Sequence, residues 1–217
     1  NSEESDSIGR GLLSRTYINL SRIAIKNKNQ KETIDDFISD LDKIFDLVKE
    51  QLLERFDVQS SKKSSEFPFL IGENLYMDSK GLKPLEKIKK SIRNGNLGIG
   101  VIGLNECIKE IGIEEDKLLN FLKMKIQRIK EDTKLNFVLI GPNIDISKKF
   151  IDLDRTIYGD IKGFTDKEYY DVNYNCKNTF KMFDGGCFKK TKIKSLEDFK
   201  KIDIENYGFI SIEKEVD

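Results

Sequence analysis

The feature that most constrains the fold is an alternation of short apolar runs with longer amphipathic segments between residues 97 and 140. Residues 97–102 and 135–140 are continuous apolar runs, as expected for strands covered on both faces. Between them, apolar residues recur every three or four positions over 104–111 and 114–130, which predicts two helices. This order predicts parallel strands in an α/β fold, with helices packed outside a sheet or barrel.

The amino-terminal third predicts a strand over residues 15–20, a short helix or turn over 21–27, and then a long helix. Thr33 is the candidate N-cap of that helix, and Asp36 resembles the partner residue of a capping box. The helix carries one apolar stripe: Ile34, Phe37, Ile38, Leu41, Phe45, Val48, Leu52 and Phe56.

The remaining segments are less regular. Residues 67–72 predict a buried irregular segment, residues 82–92 a basic helix with a solvated face, and a new helix is expected near Asp145. Residues 154–217 predict turns and short strands, of which 208–213 alternates most clearly. We therefore expect a disordered end over residues 1–8 and one domain over 9–217.

Composition excludes several classes of function. The chain has 38 basic and 38 acidic residues, so its zero net charge does not support general electrostatic binding to nucleic acid or to an anionic membrane. It has no His, which excludes a Ser-His-Asp triad and any His-ligated metal. Its three Cys are widely spaced and form no C-x-x-C pair, so we expect no metal site and a reducing, cytoplasmic location.

Three passages, taken in chain order, resemble one family. They are residues 9–24, with GRG and YINLSRIA; residues 96–106, NLGIGVIGLNE; and residues 154–169, with DRTIY and GFTDKEY. This series resembles the catalytic subunit of the anaerobic (class III) ribonucleoside-triphosphate reductase, a glycyl radical enzyme. The resemblance covers about residues 9 to 172.

The resemblance implies a fold and a chemistry. The family fold is a ten-stranded α/β barrel made of two five-stranded parallel halves, and this chain would form about one half. The intact enzyme would remove the ribose 2′-hydroxyl of ribonucleoside triphosphates by radical steps, supplying deoxyribonucleotides for DNA replication. A cysteine thiyl radical would start them, generated by a glycyl radical that an S-adenosylmethionine-dependent activase installs. The family also carries a structural zinc.

The departures from the family pattern concern the radical centre. We expect the thiyl cysteine in a Met-Gly-Cys-Arg motif shortly before Gly9, but residues 1–8 contain no Cys. The family's glycyl radical loop and its paired C-x-x-C zinc motifs are also missing from the 217 residues. We therefore expect no catalytic residue, no cofactor and no independent activity in this chain.

The resemblance implies that Asn19, Glu106, Pro142 and Asn143 contact the substrate. Asn19, at the end of a predicted strand, would face the ribose, where a carboxamide can bind a hydroxyl group. The alternative is that Asn19 caps the following turn. Glu106 could reach the mouth of the active site, or it could be a first-turn residue favoured by the helix dipole.

Pro142 and Asn143 lie in the turn that corresponds to the family's Thr-Pro-Ala-Glu-Ser. In the family, this turn precedes a helix whose free amides would receive the substrate phosphates. Asp145 would place a carboxylate there and oppose phosphate binding. We favour the simpler interpretation, that Asp145 is the N-cap of the helix.

Two further groups of residues have structural interpretations. Gly98, Gly100 and Gly103 match Gly-x-Gly-x-x-Gly, but the first two fall inside a predicted strand, which indicates close backbone packing rather than a dinucleotide site. Cys107 is expected in the core. Cys176 and Cys187 flank a hairpin-like turn and are interpreted as free thiols, with pairing or metal binding in a larger assembly as the alternative.

Three hypotheses for function remain at this point. The chain is a fragment or degenerate relative of the reductase barrel, or a stand-alone non-catalytic scaffold or binding protein that retains the half-barrel, or an unrelated α/β binding domain. A half-barrel has edge strands, so we expect self-association, other parts of a reductase as partners, or an edge covered by the chain's own strand 208–213.

Overall fold

The computed structural model describes residues 11–76, 78–171, 188–192 and 209–213 of the chain. The chain divides into two compact units. The first draws on residues 1–16, 43–99 and 124–138, and the second on residues 17–42, 100–123 and 139–217. Within the described ranges, no helix is both long and apolar enough to cross a membrane.

The elements follow one another in a largely α/β order. The first described elements are β1 (Leu12–Asn19), α1 (Leu20–Gln30) and the long α2 (Ile34–Ser60). A 3-10 turn (Ser64–Glu66), a π-helical turn (Pro68–Gly72) and α3 (Lys89–Ile92) precede β2 (Asn96–Ile102). Then come α4 (Leu104–Ile111), α5 (Glu115–Thr133), β3 (Asn136–Ile140) and α6 (Ile144–Tyr158). Two further strands follow, β4 (Phe188–Lys192) and β5 (Phe209–Glu213).

Strands β1, β2 and β3 form a three-stranded parallel sheet with β2 in the centre. This confirms the predicted α/β class and the parallel strands. Residues 97–102 of β2 are all buried, as a strand covered on both faces requires. Each of the three strands begins in the first unit and ends in the second, so all three carboxyl ends belong to the second unit.

Helix α2 begins with the predicted capping box. The Asp36 carboxylate accepts a hydrogen bond from the Thr33 backbone amide at 2.9 Å, and the Thr33 hydroxyl accepts one from the Asp36 amide at 3.2 Å. These two bonds satisfy amides that would otherwise have no partner at the start of the helix. Six of the eight residues of the predicted apolar stripe are buried, whereas Ile34 and Ile38 are half-buried. The buried six are Phe37, Leu41, Phe45, Val48, Leu52 and Phe56.

The predicted helix over residues 82–92 is wrong for residues 82–88, because α3 comprises only Lys89–Ile92. The backbone of the missing part bonds to another segment instead. Ser65 N donates to Pro84 O at 3.0 Å, and Ile88 N donates to Lys62 O at 3.0 Å. Groups used in these contacts cannot also form the local bonds of a helix. Residues 68–72 form a short π-helical turn. The prediction that the segment 67–72 is buried is wrong, because Phe69 and Leu70 are exposed and only Ile71 is buried.

The carboxyl-terminal prediction needs two corrections. Helix α6 continues to Tyr158, so the region without regular structure does not begin at residue 154. Strand β5 confirms the strand within 208–213, but it pairs in parallel with β4 in a separate two-stranded sheet and does not cover an edge of the β1–β3 sheet. The predicted disordered end, residues 1–8, and Cys176 and Cys187 lie outside the described residues.

Close packing explains the glycines near the end of β2. A Cβ atom at Gly100 would lie 2.3 Å from Tyr17 Cδ1, which leaves no room for any side chain. Gly103 follows β2 with φ of 80°, and a Cβ there would lie 2.0 Å from Ser21 Oγ. The interpretation of these glycines as packing positions is therefore confirmed for Gly100 and Gly103.

Candidate functional site

The candidate site lies in the second unit, at the carboxyl ends of β1, β2 and β3. Asn19 is the last residue of β1, Gly103 follows β2, and residues 141–143 follow β3. The carboxyl ends of parallel strands are where α/β folds usually bind their ligands, because loops and helix amino termini gather there. The predicted substrate residues all belong to this unit or to the loops at these ends.

Asn19 has two structural roles. Its Oδ1 accepts a hydrogen bond from the Arg22 backbone amide at 3.0 Å, which caps α1. Its Nδ2 donates to Asp154 Oδ2 at 2.7 Å. The capping interpretation of Asn19 is therefore confirmed, whereas its contact with substrate stays a prediction. A carboxamide has two donor hydrogens and two acceptor lone pairs, so one of each is still available to a ligand.

Asp154 is the centre of this hydrogen-bond network and is fully buried. Its Oδ1 accepts from Arg22 Nε at 2.5 Å, and its Oδ2 accepts from Asn19 Nδ2 and from the Tyr170 hydroxyl, the latter at 2.6 Å. Three donors, two from the β1–α1 junction and one from Tyr170, compensate for burying one charge. The Asp154 carboxylate therefore joins Asn19 and Arg22, at the β1–α1 junction, to α6 and to Tyr170.

The sequence analysis did not single out Asp154 as a functional residue. The signal was present in α6: Ser147, Ile151 and Asp154 follow the spacing of one helix face, and all three are buried. An Asp on an apolar helix face must have a compensating partner. That reasoning finds the residue but not its partners, which are distant in sequence.

Tyr170 is fully buried and extends the network. Burial and the hydrogen bond to Asp154 raise the pKa of the Tyr170 phenol well above its ordinary value, because a phenolate would lose hydration and face a carboxylate. Its backbone carbonyl accepts a hydrogen bond from Ser147 Oγ at 2.8 Å. Consecutive hydrogen bonds thus connect Asn19, through Asp154 and Tyr170, to the first half of α6.

Glu106 lies in the first turn of α4 and is buried, with 5% of its surface exposed. Its Oε1 accepts from Lys167 Nζ and from the Asp171 backbone amide, the latter at 2.7 Å. Its Oε2 is buried and has no hydrogen-bond partner within the described ranges. A buried acceptor of this kind is usually satisfied by a hydrogen bond from a water molecule or from a ligand hydroxyl. Glu106 therefore holds the segment 167–171 in place, and its contact with substrate stays a prediction.

The turn after β3 contains Pro142 and Asn143. Asn143 is the N-cap of α6, since its Oδ1 accepts from the Ile146 backbone amide at 3.0 Å. The expectation that Asp145 is the N-cap is therefore wrong: Asp145 is an exposed residue of the first turn, where the helix dipole favours its charge. Contact of Pro142 or Asn143 with substrate stays a prediction.

The described residues do not fit the family's structural zinc. No group of three or more Cys, Asp or Glu side chains within them has the arrangement that could hold a metal ion. Cys107 is fully buried, and burial, together with the charge of Glu106, raises the pKa of its thiol. This is the environment of a packing cysteine rather than of a metal-binding thiolate.

Comparison with solved structures defines the class of fold. The chain is similar to the anaerobic ribonucleotide reductase from Thermotoga maritima solved with glycerol in the active site. The TM-score is 0.68 over 98% of this chain and 37% of that chain, at 17% sequence identity. It is also similar to the structure of that enzyme in complex with dATP and CTP, with a TM-score of 0.57 over 80% of this chain and 28% of that chain, at 19% identity. These similarities show the fold.

The sequence comparison shows the family. The family model of the anaerobic ribonucleoside-triphosphate reductase matches residues 1–194, and the chain belongs to this family. The reductase from Haemophilus influenzae is 28% identical over 185 residues, covering 77% of this chain and 25% of the relative. That from Enterobacteria phage T4 is 26% identical over 176 residues, covering 77% and 28%. The chain thus spans about a quarter of the length of the curated relatives it matches.

Proposed function

We propose that the chain forms part of the substrate-facing wall of an anaerobic ribonucleoside-triphosphate reductase barrel. The whole enzyme would convert ribonucleoside triphosphates into their deoxy forms by thiyl and glycyl radical chemistry. The observation that carries the proposal is the fixed position of Asn19 at the carboxyl end of β1, held by Asp154 in a chain of this family. The described strands would belong to one half of a ten-stranded barrel, whose remaining parts would be partners.

The role of Asn19 in this proposal is to bind a ribose hydroxyl. A side chain that is already hydrogen-bonded at both ends loses little conformational entropy when a ligand binds. Its second Nδ2 hydrogen and second Oδ1 lone pair are then directed by the bonds to Asp154 and to the Arg22 amide. Asp154 would act here as a positioning residue, because it orients Asn19 and does not itself contact substrate.

The role of the turn at Pro142 and Asn143 is to present the first amides of α6 to the substrate phosphates. The helix has 15 residues, and its amino terminus carries partial positive charge. Asn143 occupies one of these amides, that of Ile146, with its own side chain. The Asp145 carboxylate would repel a triphosphate, so we expect weak binding.

The chemistry itself would not be carried out by these 217 residues. They contain neither the Met-Gly-Cys-Arg motif of the thiyl cysteine nor the glycyl radical loop. Hydrogen abstraction from ribose needs a sulfur radical at the centre of the barrel, and the described cysteine, Cys107, is buried with a raised pKa. The chain alone would therefore bind nucleotide without reducing it.

A second candidate is a non-catalytic binding or scaffold protein that keeps this fold. Asp145 favours it, because a carboxylate in the first turn of α6 opposes the phosphates that a reductase must bind. On this alternative, Asn19 and Asn143 serve only as the N-caps of α1 and α6.

Calorimetric titration with CTP distinguishes the two candidates. We expect Asn19→Ala to weaken binding, and Asp145→Asn to tighten it by about tenfold, which corresponds to ~1.4 kcal/mol. Asp152→Asn, at an exposed position of the same helix, is the matched control for charge and should leave binding unchanged. Any anion-binding site elsewhere in the chain contributes equally to the CTP binding measured for every variant. Equal affinities in all four proteins would refute the proposed substrate site and leave the scaffold alternative.

A further inference from the structure

A basic cleft is present in the first unit and uses none of the residues of the proposed substrate site. It has a volume of about 590 Å³. Cationic side chains dominate its lining, with Asp57 as the single acidic residue. The cations are Lys87, Lys89, Lys90, Arg93 and Lys134.

This concentration of charge does not follow from the composition of the chain. The 217 residues have zero net charge, yet the cleft lining has five cations and one carboxylate, a local excess of four positive charges. All five cationic residues are exposed, and within the described ranges none of them forms an ion pair. Like charges held close together repel each other, and a bound anion relieves that repulsion.

The shape and the remaining lining point to a small ligand. The volume falls within the range of sites for small molecules and cofactors, ~300–1,000 Å³. Leu53 and Phe56 of α2 form an apolar part of the wall, and Leu135, just before β3, forms another. A molecule that joins several phosphates to one ring system would use both the cations and this apolar surface.

We propose that this cleft binds a small polyphosphorylated molecule of the size of a nucleoside triphosphate. Lys87, Lys89 and Lys90 provide point charges for the phosphates, and Arg93 provides a planar donor group that can bind two phosphate oxygens at once. Lys134, the residue after α5, adds a further positive charge to the lining. The basic segment 82–92, interpreted from sequence as a solvated face, is on this proposal one wall of a binding site.

The test uses inorganic tripolyphosphate and ATP as probes, with affinity and stoichiometry measured by calorimetry on the full chain at low salt. We expect one tight site per chain, distinct from the weak binding proposed at the amino terminus of α6, and at least about tenfold weaker binding at the tight site in the double variant Lys89→Glu and Lys90→Glu. Lys134→Glu, at another lining position, should also weaken binding. ATP should bind more tightly than tripolyphosphate if the apolar wall contributes.

The matched control is the double variant Lys117→Glu and Lys123→Glu. It makes the same charge change at two exposed positions of α5 that do not line the cleft. We expect its affinity to fall by no more than about twofold, since screening weakens distant charges. Equal losses in both double variants would overturn the proposal by showing diffuse attraction. Absence of binding, or tighter binding of a 20-nucleotide single strand than of ATP, would also overturn it.

Discussion

The Asn19 side chain joins two parts of the second unit, because its Nδ2 donates to Asp154 Oδ2 at 2.7 Å while its Oδ1 caps α1. The same carboxylate accepts from Arg22 and Tyr170. The position of the proposed ribose-binding amide thus depends on a residue 135 positions later in the chain.

Removal of the buried carboxylate should strongly destabilise the fold. Asp154→Ala leaves Arg22, Asn19 and Tyr170 without their common acceptor, so we expect a loss of about 3–5 kcal/mol in the free energy of unfolding. Asp154→Asn keeps the shape and one acceptor oxygen and should lose less. Urea denaturation measures both. Asp152→Asn, an exposed position of the same helix, should change stability by no more than about 1 kcal/mol. An equal effect at the two positions would contradict the role of Asp154.

The raised pKa of Tyr170 predicts a loss of stability at high pH. The folded state holds the phenolic proton more tightly than the unfolded chain, whose Tyr titrates near 10.0. The stabilisation is therefore complete below pH 10 and decreases above it, with a slope of up to ~1.4 kcal/mol per pH unit. Tyr170→Phe should be less stable at pH 8, since it loses the bond to Asp154, but its stability should fall less steeply above pH 10. Parallel curves for the two proteins would refute this.

The thiol of Cys107 should resist alkylation in the folded chain. It is fully buried, and its raised pKa keeps it protonated at pH 8, whereas the thiolate is the reactive form. Peptide mapping after treatment with iodoacetamide should show little modification of Cys107 in the native protein and complete modification in urea. Rapid modification at the same pH without denaturant would show that α4 opens readily.

Two effects would destabilise an Ala at position 103, the steric clash of its Cβ atom and the positive φ, and a comparison with position 112 separates them. Gly103 and Gly112 both have positive φ, 80° and 70°, so an Ala at either position has a similar conformational cost of about 1–2 kcal/mol. A Cβ at Gly103 would also lie 2.0 Å from the Oγ of the buried Ser21, whereas one at Gly112 would have no atom within 4 Å. Gly103→Ala should therefore be less stable than Gly112→Ala by about 1–3 kcal/mol. Equal thermal stabilities of the two variants would contradict this packing.

The capping box of α2 should contribute measurably to stability. Thr33→Ala removes the acceptor for the Asp36 amide, and we expect a loss of about 1 kcal/mol in urea denaturation. Thr33→Ser keeps the hydroxyl and should stay within a few tenths of a kcal/mol of the parent protein. A Ser variant as unstable as the Ala variant would indicate that the methyl group of Thr33, rather than its hydroxyl, provides the stabilisation.

Much of the fold could be predicted from the sequence because its causes are local. The apolar spacing of α2, the capping pair Thr33 and Asp36, and the apolar run of β2 each depend on residues a few positions apart. The segment 82–88 could not be predicted in this way, since its backbone bonds to residues about 20 positions earlier, such as Ser64 and Ser65.

The residues of the candidate site also differ in whether their roles depend on local or on distant contacts. The cap formed by Asn19 could be predicted, because Asn19 lies at the end of a predicted strand and capping is a local property. At the start of α6 the sequence-based interpretation assigns the cap to Asp145 instead of Asn143, two positions earlier. Two of the three partners of Asp154 lie 132–135 residues away and the third lies 16 residues away, whereas the partners of Glu106 lie 61–65 residues away. The side chains of Asp154 and Glu106 give no local sign of those contacts beyond the presence of a charge on a helix face that is otherwise buried.

The wide spacing of the Asp154 contacts has a consequence for how the chain acquires its structure during synthesis. Asn19 and Arg22 leave the ribosome more than 130 residues before their acceptor does, an interval on the order of ten seconds at usual elongation rates. Throughout that interval the nascent β1–α1 junction lacks the carboxylate that finally anchors it. The β1–α1 junction therefore completes its hydrogen-bond network only after α6 has been synthesised.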